Sequence, residues 1–182
     1  CMIVNNHTND TMDHPTIFLA DSSPEIINCT VYNRPYPSSN TTGVFCSNSS
    51  PIITNSIVWV NAFPAILADD LSSPAVTYSD IRMENEGDSY PGQGNISEDP
   101  CFINPDMGVY QLGTGSLCID KGTLQGAPDI DFAGTERPKG EGIDIGALER
   151  DDQYPVADAG NDGSVNEGET VVLDASGSTD PG

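Results

Sequence analysis

The stretch Ser49-Ser50-Pro51-Ile52-Ile53-Thr54-Asn55-Ser56-Ile57-Val58-Trp59 has two counterparts in the same chain. Ser22-Ser23-Pro24 leads into Glu25-Ile26-Ile27-Asn28-Cys29-Thr30-Val31-Tyr32, and Ser72-Ser73-Pro74 into Ala75-Val76-Thr77-Tyr78-Ser79-Asp80-Ile81. Another short apolar run precedes each triplet: Ile17-Phe18-Leu19-Ala20, Gly43-Val44-Phe45-Cys46 and Ala65-Ile66-Leu67-Ala68. The triplets lie 27 and 23 residues apart. A period in the twenties made only of strand-length runs predicts a solenoid of stacked β coils, because helical repeats need longer runs at a spacing of about 3.6. Proline recurs at one corner of each coil, where its missing N–H breaks no ladder bond.

Extending the register places Cys1-Met2-Ile3-Val4-Asn5 over Cys29 to Asn33, then over Ser56 to Val60. Cys1, Cys29, Ser56 and Ser79 thus form one column, and the segment supplies about three to four layers at roughly 4.8 Å each. This register puts Cys1 in mid-coil rather than at a lipidated mature terminus. Cys1 and Cys29 read as buried ladder residues and Cys46 as a small core residue. Cys101 and Cys118 flank a compact turn-rich segment outside the repeats. A loop-closing Cys101–Cys118 disulfide and two free thiols both remain open for them.

The composition suits turn-rich β structure, with 18 Gly and 14 Pro in 182 residues. A formal charge of −22, from 28 acidic against 6 basic side chains, argues against nucleic acid and anionic membrane surfaces as partners. It favours an extracellular or saline setting. No stretch approaches the ~20 apolar residues that span a bilayer.

Residues 1–97 read as coils with excursions at 33–42 and 60–64, ending in a loop over 82–97. Beyond it come Asp99-Pro100-Cys101-Phe102, Tyr110-Gln111-Leu112, Ser116-Leu117-Cys118-Ile119-Asp120-Lys121-Gly122, Arg137 and Asp144-Ile145-Gly146-Ala147-Leu148-Glu149. In that order these motifs resemble the C-terminal end of bacterial right-handed parallel β-helix proteins of the pectin-lyase-like type, the segment called a choice-of-anchor Q domain. The resemblance covers residues 1 to about 150 and implies an all-β fold in which 98–150 caps the helix. Phe102, Tyr110, Leu112, Ile119, Phe132, Ile143, Ile145 and Leu148 are expected to form a lid over the last layer. Asp120 and Asp144 are expected to tie its turns through backbone N–H groups.

Residues 151–182 resemble the opening of a PKD domain, an immunoglobulin-like β-sandwich of microbial surface proteins, through Tyr154 to Gly160, Val165 to Asp174 and Ser176 to Gly182. That resemblance implies calcium near Asp158, Asp174 and Asp180, against the plainer reading of solvated acidic turns. Too few strands are present there to bury a core alone.

β-Helix enzymes that cleave acidic polysaccharides use a base beside carboxylate-held calcium. In the aligned columns here the coils offer only Arg34 and Arg82, with no matched carboxylate set, and Asp69-Asp70 reads as a solvated turn. His7 and His14, with Asp10 and Asp13 between them, read as surface histidines before they read as a metal site. Sequons begin at Asn6, Asn9, Asn28, Asn40, Asn48 and Asn95; Asn40 is the best glycosylation candidate, and Asn28 reads as an internal stack within a strand.

The reading that follows is an extracellular structural or adhesive β-helix module, with polysaccharide or other copies of itself as partners. Its alternatives are the non-catalytic end of a polysaccharide lyase or glycoside hydrolase, and a filament subunit that stacks coils end to end.

Overall fold

The computed structural model describes residues 1–5, 14–33 and 41–151, and Cys1–Arg150 forms one compact unit. Within the described residues the chain is all-β, without an α-helix. Ten short strands come first: β1 (Met2–Val4), β2 (Ile17–Ala20), β3 (Glu25–Ile27), β4 (Thr30–Tyr32), β5 (Val44–Ser47), β6 (Ile52–Thr54), β7 (Ile57–Trp59), β8 (Ile66–Ala68), β9 (Ala75–Thr77) and β10 (Asp80–Ile81). Every third strand pairs in parallel, giving the sheets β1-β4-β7-β10, β2-β5-β8 and β3-β6-β9, visited by the chain in a fixed cyclic order. The register matches the expected alignment: Met2, Thr30, Ile57 and Asp80 pair across the four-stranded sheet, one residue after the Cys1, Cys29, Ser56, Ser79 column.

The runs 25–32, 52–59 and 75–81, expected as single strands, each break in two. The break falls at Asn28-Cys29, Asn55-Ser56 and Tyr78-Ser79, whose first residues turn left-handed with φ of 46°, 49° and 47°. Asparagine enters that region at small cost because its short amide bonds locally. Asn28 is therefore a corner residue rather than a strand residue, although its side chain does stack, accepting from Asn55 Nδ2 at 3.3 Å.

The Ser-Ser-Pro triplets serve the opposite corner. The amides of Ser22 and Ser49 donate to the Oγ atoms of Ser49 and Ser72, at 3.1 and 2.9 Å, and those of Ser50 and Ser73 donate to Ser23 and Ser50 Oγ, at 2.8 and 3.0 Å. Hydroxyls thus replace the carbonyls that a bent backbone turns away, and each of these donors keeps a partner. Pro24 and Pro51 contribute carbonyls to Ile52 and Ala75 N–H and owe no donor.

One apolar core receives a column from each sheet: Val31, Val58 and Ile81; Val44, Cys46 and Ile66; Ile53 and Val76. Met83 and Tyr90 pack against it, and Gln93 and Ile96 carbonyls accept from Tyr78 and Ile81 N–H at 2.8 and 3.0 Å. The loop 82–97 therefore closes the last layer.

The segment 98–150, expected as that lid, lies elsewhere. It begins with an antiparallel pair, β11 (Phe102–Asn104) and β12 (Val109–Leu112), joined through a 3-10 turn at Pro105–Met107. From there it runs along the outer face of the four-stranded sheet. Asn5 Nδ2 donates to Tyr110 Oη at 3.1 Å, Ala147 N to Thr30 Oγ1 at 2.9 Å, and Thr123 N to Asn55 Oδ1 at 2.8 Å. Ile57 packs with Leu112, Cys118 and Ile145. The outward residues Thr30, Ile57 and Asp80 are all buried beneath it, so this face is what the segment covers. Phe132, expected in the lid, is 63 % exposed.

Candidate binding groove

Beside the seated column runs a second outward column, Val4, Tyr32 and Trp59, extended by Arg82. Parallel pairing stacks these side chains, and the covering segment covers the column only in part, with Phe102 and Tyr110 against Tyr32. A cavity of about 400 Å³ results, lined by Tyr32, Asn33, Trp59, Asn61, Arg82, Asp99 and Phe102 among others. The Tyr32, Phe102 and Tyr110 rings lock one another at centroid distances of 5.4 to 5.7 Å, so this wall is preorganised.

Arg82 is the pivot. Its guanidinium carbon sits 5.6 Å from the Trp59 ring centroid and 5.1 Å from that of Phe63. Nη1 donates to Val60 O at 3.0 Å and Asn61 Oδ1 at 3.1 Å. On its far side lies a second cavity of about 260 Å³, lined by Phe63, Pro64, Arg82, Glu84, Asn85, Asp88 and Tyr90 among others. Two concave sites thus share one clamped cation. Aromatic faces supply contact area, and amides, carboxylates and the guanidinium supply both donors and acceptors.

Behind the first cavity is a buried polar pair. Asp80, fully buried, accepts from Glu98 N at 3.1 Å through Oδ1 and from Cys118 Sγ at 3.3 Å through Oδ2. Burial pushes its carboxyl up to about 7, with Glu98 and Asp99 adding repulsion. Burial and then the Asp80 charge push the Cys118 thiol far up, so it stays protonated and is the donor. The pair anchors residues 98–102, one wall of the groove.

Further along the covering segment the acids bind backbone. Asp120 Oδ1 accepts from Gly142 N and Asp144 Oδ1 from Asp120 N, at 2.7 and 2.9 Å, so these two tie the turns as expected. Asp131 accepts from Ala133, Thr135 and Glu149 N–H. Glu149, buried, pairs with Arg137, whose Nη2 also donates to Gly146 O at 3.0 Å. Burial raises the Glu149 carboxyl, which the backbone N–H of Lys139 and then Arg137 partly oppose. Gly146 has φ of +115°, and a Cβ there would stand 2.8 Å from Ile57 Cδ1. The spacing from Asp144 to Glu149 is thus a folding device that seats the segment.

Cys101 and Cys118 are not joined in this structure: Cys101 is exposed at the groove and Cys118 is buried against Asp80. Asp69 accepts from Ser72 Oγ, Ser47 Oγ and the Asn48 and Leu71 amides, which hold its carboxyl below the usual range, the Ser72 bond foremost. It closes a corner. Asn28 spends its side chain on the Asp144 and Gly146 carbonyls and the Asn55 amide, Asn95 spends its own on backbone groups, and His14 is exposed. His7, Asp10, Asp13, Arg34, Asn40, Asp158, Asp174 and Asp180 lie outside the described residues.

Sequence reasoning passed over Trp59 and Arg82 as a pair because it sought carboxylates in the same column. The signal was present: Tyr32, Trp59 and Arg82 share one register position, whereas Asp99 reaches the cavity from outside the repeats. No family model, curated protein or solved structure matches this chain. Among the described residues, no helix is long and apolar enough to cross a membrane.

Proposed function

We propose that this chain is an adhesive module of a secreted or surface-exposed microbial protein: a right-handed parallel β-helix, laterally covered by residues 98–150 and leading into a PKD-like segment, that binds polysaccharide. The observation that carries the reading is the pair of cavities around Arg82. A guanidinium held between two rings and two oxygens offers N–H donors and no acceptor, so it binds a ligand rather than abstracting a proton from it. The geometry favours holding a ligand over turning it over.

Native electrophoresis of the 182-residue chain through gels containing dissolved polysaccharides tests this. Retardation by at least one of them is expected. Unchanged migration in all of them refutes the reading.

A further inference from the structure

We infer that the groove takes a neutral polysaccharide, with sugar units in both cavities and Arg82 between them; this rests on the adhesive reading above and assigns its ligand class. A pyranose presents an apolar C–H face and hydroxyls that donate and accept. Each cavity offers the matching set. The first has Tyr32, Trp59 and Phe102 for faces, with Asn33, Asn61, Asp99 and Arg82 for hydroxyls; the second has Phe63 and Tyr90, with Glu84, Asn85, Asp88 and Arg82. The first lies within the usual range for ligand sites and the second just below it, so a chain running past Arg82 gains from both.

Charge selects against the acidic alternative. Asp99, Glu84 and Asp88 face the same cavities as Arg82, the one cation lining them among the described residues, and the whole chain carries −22. A uronate would bring one carboxylate per sugar into that field, whereas a neutral chain brings none. The Arg82 fork already spends Nη1 on Val60 and Asn61, and its remaining nitrogens are suited to hydroxyl acceptors.

The test compares gels containing xylan, mannan or mixed-linkage glucan with gels containing polygalacturonate or alginate, using the full chain. Retardation by a neutral glycan and by neither polyuronate is expected, unchanged between about 0.05 and about 0.5 M salt. Arg82→Gln should weaken it at least about tenfold. In the unaltered chain, bound glycan should slow alkylation of Cys101, which lines the first cavity, and leave exposed Cys1 untouched. Retardation by polyuronates alone, or neutral binding indifferent to Arg82→Gln with Cys101 unprotected, overturns the assignment. Retardation by no polysaccharide removes the adhesive reading itself.

Discussion

Titrating Asp80 should loosen the fold as pH rises, the reverse of ordinary acid denaturation. Its carboxyl is buried and hydrogen-bonded, among the described residues, to Glu98 N–H and the Cys118 thiol, neither of which replaces the hydration lost by a charge. The folded value is about 7 against 3.8 for the free group. A raised folded value means that the native state holds the proton more tightly than the unfolded chain. Stability from this group is therefore full below pH ~4, declines between ~4 and ~7, and is flat above. Three pH units at about 1.36 kcal/mol each give an upper magnitude of about 4 kcal/mol. Glu149 is raised as well and adds to the slope, while Asp69 is lowered and opposes it. The difference between the native chain and Asp80→Asn isolates the Asp80 share, because asparagine keeps the shape and cannot ionise. Urea unfolding followed by the fluorescence of Trp59, the single tryptophan, reads the cluster around Cys118 directly. The midpoint should fall from pH 5 to pH 8, and Asp80→Asn should remove most of that fall. An identical fall in both proteins, or a midpoint that rises across the window, refutes the reasoning.

Other perturbations reach other parts of the fold. Asn55→Ala removes bonds to Asn28 and Thr123 and forces alanine into a left-handed corner. It should cost about 3 kcal/mol or more in urea unfolding, and Asn55→Gly should recover about 1 kcal/mol of that. Arg137→Met removes the charge partner of the buried Glu149 carboxylate and should cost about 3–5 kcal/mol, much of it regained when Glu149→Gln is added, since the amide is neutral and keeps an acceptor for the backbone N–H groups on it; equal losses in the single and double variants would show that the pair is not coupled. Under native conditions alkylation followed by peptide mapping should find Cys1 and Cys101 reactive and Cys46 and Cys118 protected until unfolding. Rapid native labelling of Cys118 would contradict its place against Asp80.

The strand register was legible because it is a local property repeated three times. Ser-Ser-Pro recurs, apolar residues flank it, and alignment of the copies yields the pairing of Thr30 with Ile57 and of Ile57 with Asp80. The two-residue corners were less legible, since Asn28 and Asn55 sit inside otherwise continuous β-prone runs and only backbone conformation separates a stacked strand residue from a stacked corner residue. Tyr78, a bulky residue at the third such corner, carries no turn signal at all. There the pairing of its neighbours, with Gln93 O receiving its N–H, overrides local preference. The placement of 98–150 was hidden for a different reason: its motifs have the composition of a lid, and composition does not say which exposed apolar surface a lid will meet.

That placement follows once the two outward columns of the four-stranded sheet are compared. Thr30, Ile57 and Asp80 lie one per layer, and each meets a different part of the covering segment: Thr30 the amide of Ala147, Ile57 the side chain of Ile145, and Asp80 the thiol of Cys118. Two residues further along stand Tyr32, Trp59 and Arg82, which the segment meets at its edge, through Tyr110 against the Tyr32 ring and through Asp99, Cys101, Phe102 and Pro105 around the cavity. Because side chains on one face repeat every second residue, one column seats the cover and the next lines its margin. The groove is therefore the seam between repeat and cover. Since Asp80 accepts from Glu98 N–H and Cys118 on the 98–102 wall of that seam, its ionisation should act on the seated column and on that wall together. A weakening of glycan binding across the pH window in which the fold loosens, absent in Asp80→Asn, would tie the two columns together. Binding that stays constant while the urea midpoint falls would separate them.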